Sequence, residues 1–307
     1  MMWLAWRQFR ANGVLASILM VAVVVVLVVT RGHIAHIPDP DKLSTGYKSL
    51  RFLGTALIGV PALVGAFWGA PLIAHELETG THRLAWTQSV TRRHWLATKL
   101  GVISVAAVAI TGAFSLVFTW WSLPLDHFGN RIGTANFGQR GIVPIAYALF
   151  ALALGTLAGA VLRRTLPAMA VTLVGFLAAR FAFQLAVRPH LVTTVTATLP
   201  NNLFGQRESS GTTNGGWVLS SKTIDAAGHA VNNAQIDQII RQSCHVTRQT
   251  TTSDLGRCAD HLGFHDVVRM HPANQFWSLQ VLEAASFVVL AVVLTVACFW
   301  WIRHRTA

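Results

Sequence analysis

Few residues in this chain of 307 amino acids sit in patterns that perform chemistry. His75-Glu76 begins like the H-E-x-x-H zinc-protease helix, but the residue four places after His75 is Thr79. His82 does not restore the i, i+4 geometry that places two imidazoles on one metal. Cys258, His261, His265 and His271 lie close in sequence, yet their spacing matches no standard zinc pattern. No G-x-x-x-x-G-K-[ST] phosphate loop and no G-x-S-x-G nucleophile elbow occurs. The chain therefore has no predicted catalytic, cofactor-binding or metal-ligating residues, and it is not expected to be an enzyme or to hydrolyse ATP. Two ionisable residues are conspicuous for another reason, because apolar sequence surrounds them. Arg180 stands in Ala178-Ala179-Arg180-Phe181-Ala182-Phe183, and Glu283 in Val281-Leu282-Glu283-Ala284-Ala285.

The segments that carry these two charges define the molecule. Apolar residues make up 53% of the chain and charged residues only 12%, with a mean hydropathy of +0.49. A soluble domain normally carries about 25% charge, so this is the composition of a bilayer protein. Six runs are long enough to cross a hydrocarbon core: about 14–29, 53–74, 100–121, 141–162, 166–187 and 276–302. They are apolar all round, whereas core helices of a soluble protein keep a polar face. A signal peptide would account for the first run but not for five more. The predicted fold is an all-α integral membrane domain over residues 1–307, with a large loop, 188–275, before the last helix. Gly65 and Gly69 in the second run, and Gly155 and Gly159 in the fourth, match the small-xxx-small spacing that lets helices approach closely.

Arg180 lies about seven residues before the end of its run and Glu283 about seven residues after the start of its own, so both lie about 10 Å below the same, outer face of the membrane at 1.5 Å per residue. A charge at that depth rarely faces lipid. The expectation is an Arg180–Glu283 pair between neighbouring antiparallel helices, which fixes register. Substrate contact or gating is the alternative role.

The net charge of +12 is topological rather than a mark of nucleic-acid binding, because Lys and Arg fall in loops and form no aromatic-interleaved stripe. Basic residues favour the side holding both termini, the loop 75–99 and Arg163–Arg164. That side is expected to be cytoplasmic, in a plasma membrane. The loop 188–275 is then extracytoplasmic. It is rich in Thr, Asn, Gly and Ser and short of core material, with partial order expected around Ala234 to Arg241. Cys244 and Cys258 are its cysteines, and on an oxidising face they are expected to pair. The closed loop of about 15 residues is worth roughly 3 kcal/mol, the alternative being two free thiols.

The loop that follows the second run reads His75-Glu76-Leu77-Glu78-Thr79-Gly80-Thr81-His82-Arg83-Leu84-Ala85-Trp86-Thr87-Gln88-Ser89-Val90-Thr91-Arg92-Arg93, and continues to Lys99. It resembles the first cytoplasmic loop of ABC-2 type transporter permeases. Glu76, Gly80, Thr81, Leu84, Trp86, Ser89, Thr91, Arg92 and Lys99 occupy the acidic, Gly-Thr, apolar, Ser/Thr-Arg and Lys places of that pattern. Trp3-Leu4-Ala5-Trp6-Arg7-Gln8-Phe9-Arg10, Leu162-Arg163-Arg164-Thr165-Leu166-Pro167 and His271-Pro272-Ala273-Asn274-Gln275-Phe276-Trp277 extend the resemblance to a group of actinobacterial permeases. The resemblance implies a permease subunit, an exporter, that works as a homodimer or a heterodimer. Separate P-loop ATPase subunits would bind the ATP and Mg. It also implies coupling to that ATPase through Glu76, Glu78, Gly80, Thr81, Trp86 and Arg92, with residues 1–13 as an interfacial helix. A membrane-anchored sensor that binds a ligand through 188–275 is the competing reading.

Overall fold

The computed structural model describes residues 18, 21–32, 57–80, 91–123, 132, 137–200, 216–244 and 252–305. Thr81, Trp86 and the N-terminal Trp3, Trp6, Arg7, Phe9 and Arg10 lie outside these residues, as does the side chain of Arg92. The described residues fall into two compact units. One comprises the chain up to Ser122, Gly138–Arg188 and the chain from Leu279; the other comprises Leu123–Phe137 and Pro189–Ser278.

The first unit is helical. Five helices are long and apolar enough to cross a membrane: α2 (Leu57–Thr79), α3 (Arg93–Ser122), α4 (Val143–Leu162), α5 (Thr165–His190) and α8 (Ala273–His304). A shorter apolar helix, α1 (Val21–Gly32), covers the described part of the first run. Five of the six expected spans are thus present as long apolar helices among the described residues, and the first run is described only in part.

Helices α2 and α4 form the centre, each with 67% of its span buried, against 17% for α5. Glycine makes this possible. A methyl group added to Gly65 would lie 2.5 Å from the Ala151 carbonyl oxygen, and one on Gly69 would lie 2.6 Å from that of Leu152. Gly155 faces Gly65 in return, and a methyl on Gly159 would meet the Ala70 carbonyl at 2.5 Å. The two small-xxx-small stripes therefore face each other, and the backbones touch where side chains would hold them apart.

Helix α2 is not uniform. It makes a wide π-helical turn over Gly65–Gly69, closed by the Ala70 N–H on the Gly65 carbonyl. Pro71 follows at once and has no N–H to continue the ladder. Helix α5 makes a second π turn over Phe183–Val187 and then a 3-10 turn over Arg188–His190. These two turns carry α5 beyond residue 187, where the apolar run stops.

The second unit has the order expected around Ala234 to Arg241, in a helix, and departs from an all-α fold by a sheet. Strands β1 (Val195–Pro200), β2 (Trp217–Ile224) and β3 (His265–His271) form an antiparallel sheet in the order β1-β3-β2. The register pairs Val195 with Met270 and Trp217 with His271. Helix α6 (Asn233–Ser243) starts with a full capping box: Asn232 accepts from the Gln235 N–H at 2.9 Å, and Gln235 accepts from the Asn232 N–H at 2.9 Å. Ile236 and Ile240 of α6 bury against Ala259 of α7 (Thr252–His261) and against Phe264. Cys244, at the end of α6, is joined to Cys258 of α7 by a disulfide with a Cα–Cα distance of 6.2 Å. A core this small is reinforced by a covalent cross-link, as in small extracellular domains.

Candidate functional site

Two groups of polar side chains in the helical unit hold helices together, one at each end of α2.

The first lies where α2 and α4 begin. Glu283 of α8 is fully buried, and its partner is Arg188, not Arg180. Arg188 donates Nε to Oε2 and Nη2 to Oε1, both at 2.8 Å, in a side-on fork. The paired geometry suits two charges removed from water. The Tyr147 hydroxyl of α4 donates to the same carboxylate. Arg180 instead lays its guanidinium over the Tyr147 ring, 4.7 Å from the centroid, and donates Nη1 to the Ile58 carbonyl at 3.0 Å. The expected Arg180–Glu283 pair is thus replaced by Arg188–Glu283, because α5 continues through its π and 3-10 turns and brings Arg188 inside. Aromatic rings enclose the group: Phe287 meets Tyr147 edge-on at 4.6 Å and Phe150 at 5.2 Å.

Gln280, three residues before Glu283 and so on the same face of α8, is also fully buried. Its Oε1 accepts the Ile142 and Val143 N–H groups at 3.2 and 3.3 Å, which caps the start of α4. Arg140 is buried as well and donates Nη2 to the Ser122 carbonyl at 2.8 Å. The signal for Gln280 was its i, i+3 relation to Glu283. Tyr147 and Arg140 carried none, since Tyr147 reads as one more aromatic residue inside an apolar run and Arg140 as a basic residue at its border.

The second group lies at the other end of α2, where residues 75–99 leave the apolar runs. Helix α2 stops at Gly80, whose φ of +73° closes the helix in the left-handed region that glycine reaches without strain. Glu76 pairs with Lys99 of α3. Lys99 also lies over Trp95, 4.8 Å from its ring, and Trp95 is buried in the helical core. Thr91 caps the start of α3 through its Oγ1, which accepts the His94 N–H at 3.3 Å.

Glu78 reaches a different helix. Its Oε2 accepts the Thr165 N–H at 3.1 Å and the Thr165 hydroxyl at 2.7 Å. A carboxylate here satisfies the first amide of α5 and meets the positive end of its dipole. The link between α4 and α5 is only Arg163–Arg164, with Arg163 at a φ of +54° and its N–H on the Gly159 carbonyl at 3.0 Å. Of the residues expected at the coupling loop, Glu76, Glu78 and Gly80 are therefore described and gathered at one end of α2. Cys258 is held in its disulfide, and His271 contacts Gln275 at 3.0 Å and the Pro189 carbonyl at 3.2 Å.

Among the described residues these polar groups serve to join helices. The site is built around a helix whose two ends are bonded to its neighbours and whose middle packs closely against α4 on glycine. A family model described as ABC-2 membrane transporter related matches residues 17–188. No curated protein and no solved structure matches the chain.

Proposed function

The chain belongs to the ABC-2 membrane transporter related family, and from that premise we propose that it is the permease of an ATP-driven exporter, moved by a separate P-loop ATPase that grips residues 75–99. It is a multi-pass membrane protein, and its family is one of ABC transporter permeases. The proposal adds a direction of transport, a partner and a path for the force.

One observation supports the path. The two acidic residues at the end of α2 are bonded to two different helices, Glu76 to α3 and Glu78 to α5. A push on the segment between α2 and α3 then moves three helix ends together. Helix α2 passes the displacement along its glycine contact to α4 and, at its far end, to Arg180 through the Ile58 carbonyl. In this reading the loop and both termini face the cytosol, where the ATPase subunits bind ATP and Mg. Two such chains, or this chain and a second permease, enclose the pathway. The exposed apolar faces of α3, α5 and α8, which include Leu116, Leu166 and Val296, supply surface for lipid and for that second permease.

Purification in mild detergent tests the partner. The intact chain is expected to retain a P-loop ATPase, and a chain whose residues 81–90 are replaced by a Gly-Ser linker is expected to lose it. Equal retention by both, or no ATPase with either, would contradict the proposal. The competing role, a sensor, gains support from the disulfide-linked unit that contains β1–β3. A sensor would keep its role when 81–90 is replaced and lose it when 189–275 is deleted.

A further inference from the structure

The buried charge beside Tyr147 does not cancel. Arg180 and Arg188 are 1% and 0% exposed, and both lie within electrostatic reach of the single carboxylate of Glu283. Tyr147 adds a hydroxyl that donates to the carboxylate and so brings no negative charge. Among the described residues the group holds two guanidinium groups and one carboxylate, one positive charge more than negative, inside a helical unit where an unmatched charge is costly.

The geometry shows where the excess is directed. A guanidinium offers a side-on edge, Nε with Nη2, that matches the two oxygens of a carboxylate or phosphate. Arg188 fills this edge with Glu283. Arg180 has its face on Tyr147 and its Nη1 on Ile58, but its Nε and Nη2 are buried and have no hydrogen-bond partner among the described residues. Leaving such donors unmatched is expensive, so native structures rarely do it without a use. The edge is flanked by Gly138, where a first side-chain carbon would stand 2.6 Å from Nη2. Glycine keeps that side of the edge uncovered. The π turn Phe183–Val187 begins three residues after Arg180, and such turns recur at functional sites.

We propose that the Nε–Nη2 edge of Arg180 is a binding site for an oxyanion, a carboxylate or phosphate group, borne either by a transported molecule or by a lipid headgroup. The oxyanion takes the two donors and brings the charge of the group to balance. Arg188–Glu283 holds the Tyr147 ring on which Arg180 rests, and Ile58 ties the bound state to the start of α2. The site stands independently of the ATPase reading, and its test contains no ATPase.

The intact protein is placed in dodecyl maltoside micelles, whose headgroups carry no phosphate, and its thermal unfolding is followed while inorganic phosphate replaces chloride at constant ionic strength. A parallel sample adds phosphatidylglycerol to the micelles without inorganic phosphate. The melting midpoint is expected to rise by about 2–4 °C in at least one arm. A response to phosphate identifies a soluble oxyanion, and a response to phosphatidylglycerol alone identifies a headgroup. Arg180→Gln is expected to abolish the rise. Gly138→Ala keeps the charge but obstructs the edge, and is expected to raise half-saturating phosphate, or the phosphatidylglycerol fraction needed, at least tenfold. Should Arg180→Gln fail to fold, Gly138→Ala decides. No rise in either arm of the unaltered protein, or a rise in Gly138→Ala equal to that of the unaltered protein, would overturn the site.

Discussion

Glu283 is surrounded by protein on every side, so its contribution depends on Arg188. Removing one partner strands a charge, and Arg188→Gln is expected to destabilise the helical unit by about 3–5 kcal/mol. Replacing both, with Arg188→Met and Glu283→Leu, is expected to recover most of that loss. Unfolding midpoints in one detergent check both outcomes, and a double variant no better than the single would show that the pair does more than balance charge. An exposed carboxyl shows the opposite regime. The His229 N–H and then the Ala227 N–H hold the Asp225 carboxyl below its ordinary value of 3.8. A depressed carboxyl contributes stability above its unfolded value and loses it as pH falls through the folded one. NMR titration of labelled aspartate is expected to place the Asp225 midpoint below 3.8, with the turn after β2 loosening at still lower pH. At this scale the sequence revealed that Arg180 and Glu283 are costly and face inward. It did not reveal the pairing. The apolar run stops at Val187, so Arg188 read as the start of a loop, while the wider π turn and the tighter 3-10 turn that draw it inside leave no mark in composition.

Helix α2 is the element on which the architecture turns. Its contact with α4 rests on Gly65, Gly69, Gly155 and Gly159, and each would bring a methyl within 3.0 Å of the facing backbone. Gly155→Ala is expected to cost about 1–3 kcal/mol through overpacking, and Gly155→Leu to prevent assembly. Folded yield after solubilisation measures this, and full tolerance of leucine would remove the close approach. Its end is fixed by hydrogen bonds, so Glu78→Ala should lower the unfolding midpoint by uncapping α5, and Glu78→Gln less, since an amide oxygen still accepts. The four-residue glycine spacing was legible, because small residues four apart lie on one helix face. Which stripe met which was not, because spacing fixes a face but not its neighbour. In the second unit Asn232 and Gln235 form the S/T/N-x-x-E/Q signature of a helix start, and Ile236 with Ile240 gives the buried stripe. The sheet was hidden because β2 breaks its apolar start with the polar run Ser220-Ser221-Lys222-Thr223, and because the alternation Val195-Thr196-Ala197-Thr198-Leu199 of β1 is short and stands at the edge of a polar loop.

As a whole molecule, the chain joins a helical membrane unit to a small disulfide-linked α+β unit. The cross-link spans 14 residues, and reduction or Cys244→Ser is expected to destabilise the second unit by about 3 kcal/mol while the helical unit retains its midpoint. Hydrogen exchange resolved along the chain checks this, with faster exchange confined to α6, α7 and the sheet. The central claim for the molecule is that the segment between α2 and α3 meets a cytosolic ATPase. The most direct measurement is labelling of a cysteine placed at Ser89 by a membrane-impermeant maleimide, beside a second cysteine placed at Ser209. In intact cells Ser209→Cys is expected to react and Ser89→Cys to react only after lysis. Reaction of Ser89→Cys in intact cells would contradict the claim.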